Sequence, residues 1–182
     1  MKTVLPGLKP LSAVVGMILM LTGSALAAPF QLIGGTPKTL TSASLAAVQK
    51  SVTQAQVSRP KNSMTFGQKT IRLVAQSGPA NDMLSYRIGG LRNPVMVVPK
   101  GAMLRVLFVN TDDDMAHNLR FSTRKNPAAP SVGTPNLAHK TETAFHAEEM
   151  TLRAPSKPGA YYYLCTVRGH APGGMWGTLL VR

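Results

Sequence analysis

From about residue 64 onward, apolar and polar positions alternate in short runs separated by turn residues, which is the period of half-buried strands. In "KTIRLVAQ", Ile71 and Leu73 are separated by Arg72. "MLSYRIGG" and "NPVMVVP" read as two further short strands, parted by Gly and Asn-Pro. The run "AMLRVLFVN" sets Leu104, Val106 and Phe108 on one side and Arg105, Leu107 and Val109 on the other. Two largely apolar faces predict a central strand. "LRFST", "EEMTLRAP", "YYYLC" and "MWGTLLVR" complete seven or eight short strands, with a long Pro/Asn/Thr-rich connection from Lys125 to about Ala147 crossing between sheets. This pattern predicts an all-β fold, a β-sandwich.

Ahead of the strands the period changes. "TSASLAAVQKSVTQAQ" carries Leu45, Val48 and Val52 at i, i+3 and i+7, with Thr41 or Ser42 as candidate N-caps. That predicts a short amphipathic helix ending before Pro60. "APFQLIGGTPKTL" shows no period and reads as an extended lead-in. Three segments follow from these shifts: 1–27, an N-terminal extension over 28–63 with the short helix, and the β domain over 64–182.

The first segment is read as a targeting signal. Lys2 and Lys9 precede the apolar run "LSAVVGMILMLTG", and Ala25 and Ala27 form a small-residue cleavage site. The run is shorter than the ~20 residues a spanning helix needs, so cleavage after Ala27 and export to the periplasm are expected, without stable membrane insertion. Cleavage leaves 18 basic against 7 acidic side chains, a formal +11. Such a surface suits an acidic partner or serves solubility in an unusual environment such as acid. Export and the lack of a clustered Lys/Arg run with interleaved aromatics argue against nucleic acid.

The chemistry concentrates in "YYYLCTVRGHAPGGMWG". Its Cys165 is the single cysteine of the chain, so no intramolecular disulfide can form, and an exported lone thiol is a liability unless buried or ligated. His170 and Met175 follow at five-residue steps across a loop containing three glycines, and strand alternation places Cys165 on the side of Tyr161 and Tyr163. Thiolate, imidazole and thioether together suit copper, and a His₂Cys set with a weak axial Met is an electron-transfer site. The second histidine must come from elsewhere, and His117 begins "HNLRFST" after the strong strand. His139 and His146 in the long connection are expected at the surface, Asp112, Asp113 and Asp114 in a solvated turn, and most methionines in the core. Trp176 is expected to pack beside Met175, where it could also shield the metal.

Cys-x4-His-x4-Met, with a His-Asn after "VLFVN", resembles the type 1 (blue) copper cupredoxins. The stretches "NPVMVVPKGAMLRVLFVNT" and "PGAYYYLCTVRGHAPGGMWGTLLV" are similar to the rusticyanin branch of that family over roughly residues 40–182. The resemblance implies a Greek-key sandwich, one copper ion, His117, Cys165 and His170 as ligands, and Met175 axial. It also implies that the backbone N–H of Asn118 bonds the cysteine sulfur while its side chain ties two ligand loops. The rusticyanin branch has serine at that place, whereas azurin-type and plastocyanin-type proteins have asparagine, so very high potential and acid tolerance are not carried over. The implied role is a periplasmic carrier cycling Cu(II)/Cu(I) in a respiratory or iron-oxidation chain, with c-type cytochromes or a terminal oxidase as partners. The alternative is a copper-binding or copper-delivery protein without redox turnover. An enzyme of the multicopper class would need further histidines beside Cys165, where Leu164 and Thr166 stand.

Overall fold

Leu104, Val106 and Phe108 are fully buried on one face of β8 (Met103–Asn110), and Leu107 and Val109 are buried on the other. In the computed structural model, which describes residues 29–78 and 81–182, this strand lies inside a sheet with two neighbours. It runs parallel to β4 (Thr70–Ser77) and antiparallel to β11 (Phe145–Arg153). The inner face, with Ile71, Leu73, Met150 and Leu152, packs against the second sheet. The outer face forms a smaller cluster: Val74, Leu107, Val109 and Ala147 lie under Leu40 and Leu45. Full burial of each such side chain contributes about 1.5–3 kcal/mol. The double-sided apolar pattern of β8 therefore reflects two cores, one of them roofed by a helix.

That helix is α1 (Ser42–Gln49), capped by Thr41 in a reciprocal capping box with Ser44. It is shorter than the sequence pattern suggests. Leu45 is buried and Val48 half-buried, but the chain leaves the helix after Gln49, and Val52 is exposed. Thr53 diverts it: its N–H donates to the Arg72 carbonyl and its hydroxyl accepts from the Arg72 N–H (both 2.8 Å). Edge hydrogen bonds on β4 compete successfully with another helical turn.

The lead-in is also a correction. Residues Gln31–Leu40 form β1, paired antiparallel with β11 from Gln31↔Arg153 to Leu40↔Phe145. Nine of its ten residues are exposed, so the strand is held by backbone pairing at a sheet edge and shows no alternation to read.

The remaining strands are short. They are β2 (Gln56–Ser58), β3 (Ser63–Thr65), β5 (Tyr86–Ile88), β6 (Leu91–Arg92), β7 (Val95–Val98), β9 (Arg120–Ser122), β10 (Ser131–Gly133), β12 (Gly159–Leu164) and β13 (Trp176–Val181). One sheet runs β1-β11-β8-β4-β5-β6 and the other β10-β9-β12-β13-β7-β3-β2. The expected all-β sandwich with a short helix is present, divided into more strands than the seven or eight read from the sequence. The expected turn residues break the ladders into pieces of two to ten residues. The 125–147 connection contains β10, and His146 lies on β11 opposite Asn110, half-buried, while His139 is exposed. The segment 1–27 read as a targeting signal lies outside the described residues. No helix among the described residues is long and apolar enough to cross a membrane.

Candidate metal centre

Strand ends gather the chemistry at one pole. β12 pairs with both β9 and β13, with Leu164 opposite Arg120 on one side and Trp176 on the other. Cys165, immediately after Leu164, therefore emerges beside the segment that carries His117. That segment is fixed by an isolated bridge in which His117 and Leu137 exchange N–H···O bonds of 3.1 and 2.8 Å.

The loop from Cys165 to Met175 closes on itself. Cys165 N–H donates to the Met175 carbonyl (3.1 Å), Met175 N–H to His170 (2.9 Å), and His170 N–H to Val167 (3.1 Å). Gly174 adopts φ +109°, a conformation open to glycine, and its carbonyl accepts from the Asn93 side chain (3.0 Å). These bonds return His170 and Met175 to the cysteine.

His117, Cys165, His170 and Met175 are all buried, with His170 the most exposed at 7%. Nδ1 of His117 lies 3.1 Å from Nδ1 of His170, and Cys165 Sγ lies 3.4 Å from His170 Nδ1 and 4.0 Å from His117 Nδ1. Among the described residues this is the one cluster of three His, Cys, Asp or Glu side chains whose donor atoms converge closely enough for a metal ion. Met175 is fully buried in the same core cluster as Cys165. Of the other histidines, neither His139 nor His146 joins the group.

The electrostatics fit a cation. Burial pushes the Cys165 thiol upward, against the N–H groups of Asn118 and Val167 and the Tyr86 hydroxyl, which favour thiolate. Burial, and then the neighbouring His117, push His170 downward. Two imidazole nitrogens and the cysteine sulfur thus face one another in a buried space, with the two Nδ1 atoms only 3.1 Å apart. A soft or borderline metal satisfies all three, with the thiolate as its counter-charge.

One surrounding feature agrees with what the resemblance implied. The Asn118 side chain joins the loops, accepting from the Thr166 N–H (2.9 Å) and donating to Thr166 Oγ1 (2.8 Å) and Asn136 Oδ1 (2.6 Å). Trp176 is half-buried, packed edge-on against Tyr162 with Lys125 over its ring.

Three participants escape sequence reading. Tyr86 is buried under the site and donates to the Asn118 carbonyl at 2.6 Å. Asn110 braces the His117 segment by donating to the carbonyls of Met115, Leu137 and Ala138. Asp112 corrects the expectation of a solvated turn. Asp113 and Asp114 are exposed, but Asp112 is 1% exposed, its carboxylate 2.9 Å from His117 Nε2. Burial opposes its charge, yet hydrogen bonds from Asp114, His117 and Met115 prevail and hold its pKa at about 2. Nothing in a run of three aspartates marks which one turns inward.

Known proteins are similar to this chain in sequence and fold. The profile of the copper binding proteins, plastocyanin/azurin family, matches residues 92–182. Rusticyanin of Acidithiobacillus ferrooxidans is 29% identical over 129 residues, covering 66% of this chain and 82% of that protein. Auracyanin-B of Chloroflexus aurantiacus is 38% identical over 80 residues, 41% of this chain and 34% of the other. The 1.27 Å structure of rusticyanin from Thiobacillus ferrooxidans superposes with a TM-score of 0.71 at 28% identity, over 81% of this chain and 97% of that one. With the sandwich, the converging His-Cys-His donors and a family match over half its length, this chain belongs to the plastocyanin/azurin family of copper-binding proteins.

Proposed function

We propose that this protein is a periplasmic electron carrier holding one type 1 copper through His117 Nδ1, His170 Nδ1 and Cys165 Sγ, with the Met175 thioether axial. The observation that carries the reading is the convergence of those three donor atoms in a buried pocket behind a closed loop. Copper bound there supplies a one-electron Cu(II)/Cu(I) couple. The chain's part is to hold the donors still: each lies at the end of a strand or in a bonded turn, so little reorganisation accompanies a change of charge.

His170 is the donor nearest solvent, next to buried Ala171 and exposed Pro172 and Gly173. Its outer edge is the electron port of this proposal, since small apolar contacts suit brief redox encounters. The exposed Arg168 beside it and the basic surface favour partners with an acidic docking face, such as c-type cytochromes or a terminal oxidase. Burial of every donor argues against a delivery protein, which needs an exchangeable site. No enzymatic turnover belongs to this reading, as carriers of this family are not enzymes.

Stopped-flow mixing of the reduced copper protein with an oxidised soluble c-type cytochrome tests the role. Fast electron transfer that slows as salt is raised is expected, because the encounter is steered by opposite charge. Copper that leaves for a chelator rather than cycling would overturn the carrier reading.

A further inference from the structure

We propose that Asp112 is the positioning residue of this centre: its carboxylate fixes the His117 ring with Nδ1 bare toward the other donors, and its buried charge favours the oxidised state of a copper held there. The first half stands on the geometry of the chain alone. The second rests on the copper reading above.

The carboxylate occupies a built pocket. Oδ1 accepts the N–H groups of Asp114 and Met115 (both 3.0 Å), while Oδ2 faces His117 Nε2 at 2.9 Å. The Asp112 N–H is held by Asn110 Oδ1 (3.0 Å), which also accepts from the Ser77 hydroxyl (3.2 Å). Gly78, at φ +66°, makes room for it, since a Cβ there would overlap the Asp112 carboxyl group. Among the described residues no Lys or Arg pairs with this carboxylate; its charge is directed to the imidazole.

An ionised carboxylate only accepts hydrogen bonds. His117 Nε2 must therefore carry the proton, which leaves the Nδ1 lone pair aimed at Cys165 and His170. A histidine held this way is a better-oriented and more basic ligand. Charge counting gives the redox consequence. With Cys165 as thiolate and Asp112 ionised, two negative charges face the ion, so the cupric centre is neutral and the cuprous centre carries one excess charge in a dry surrounding. Burying an uncompensated charge is costly, so the reduced state is disfavoured. Removing the carboxylate charge reverses the comparison.

Long-range ¹H–¹⁵N spectra of the metal-free protein test the first half on the unaltered chain. His117 is expected as a single Nε2–H tautomer, and Asp112→Leu should lose that preference. A proton on Nδ1 in the unaltered protein would overturn the positioning role, whether or not the chain binds copper. The second half is read by voltammetry and visible absorption of copper-loaded Asp112→Asn, which keeps the shape of the side chain while its charge is gone. The blue band should persist and the reduction potential should rise. An unchanged or lowered potential with the band intact would overturn the charge effect. Failure of the unaltered protein to turn blue would instead contradict the copper reading and leave the tautomer result standing.

Discussion

Asn118 and Thr166 hold each other by two hydrogen bonds across 48 residues of chain, one from the Thr166 N–H and one to its hydroxyl. They follow His117 and Cys165 directly, so this pair locks the two ligand-bearing loops into one body. Asn118→Ala removes both bonds and leaves the half-buried Thr166 N–H without its acceptor, at a cost of about 0.5–1.5 kcal/mol for each bond lost. Chemical denaturation of the metal-free protein should show that loss. Stability equal to the parent would mean the loops are held by other contacts.

The axial position separates electronic from packing effects. Met175→Leu should keep copper and colour and raise the reduction potential, because a weak donor that favours the cupric state is lost. Met175→Gln supplies a harder oxygen donor and should lower it. For a one-electron couple, about 59 mV corresponds to a tenfold change in the redox equilibrium, so voltammetry resolves modest shifts. Shifts of the same sign, or loss of copper from both variants, would show that Met175 is not the axial ligand.

Most of this arrangement was legible in the sequence. The alternation in residues 103–110 announced a central strand, and Cys165, His170 and Met175 lie close in sequence, where spacing carries information. The edge strand β1 could not be read because its exposed residues leave no periodic trace of pairing. Val52 left the helix because a tertiary partner, Arg72, outbid the next helical turn. Asp112 and Tyr86 act through neighbours far away or newly turned inward, and their residue types are equally at home in a turn and in a core. Their roles depend on which way each side chain points, which only the folded chain decides.

Glu148 offers a pH-dependent test away from the metal centre. It lies on β11 at 8% exposure, and burial raises its pKa. As pH rises past the ordinary glutamate range of about 4.3, the unfolded chain gives up this proton first. The folded state therefore loses stability until pH passes its own, higher value, and is unpenalised below the ordinary range. Glu148→Gln should raise the thermal midpoint relative to the parent at about pH 7, and leave the difference small at about pH 3. A gain of equal size at both pH values would point to packing rather than ionisation.

The central claim is a copper–thiolate bond at Cys165, and the visible absorption spectrum of the oxidised, copper-loaded protein tests it most directly. The intense band toward the red end of the visible spectrum should be present in the parent and absent in Cys165→Ser. His139→Ala and His146→Ala should keep it, while His117→Ala and His170→Ala should lose the native spectrum. A colourless parent protein, or a Cys165→Ser variant that remained blue, would contradict the account.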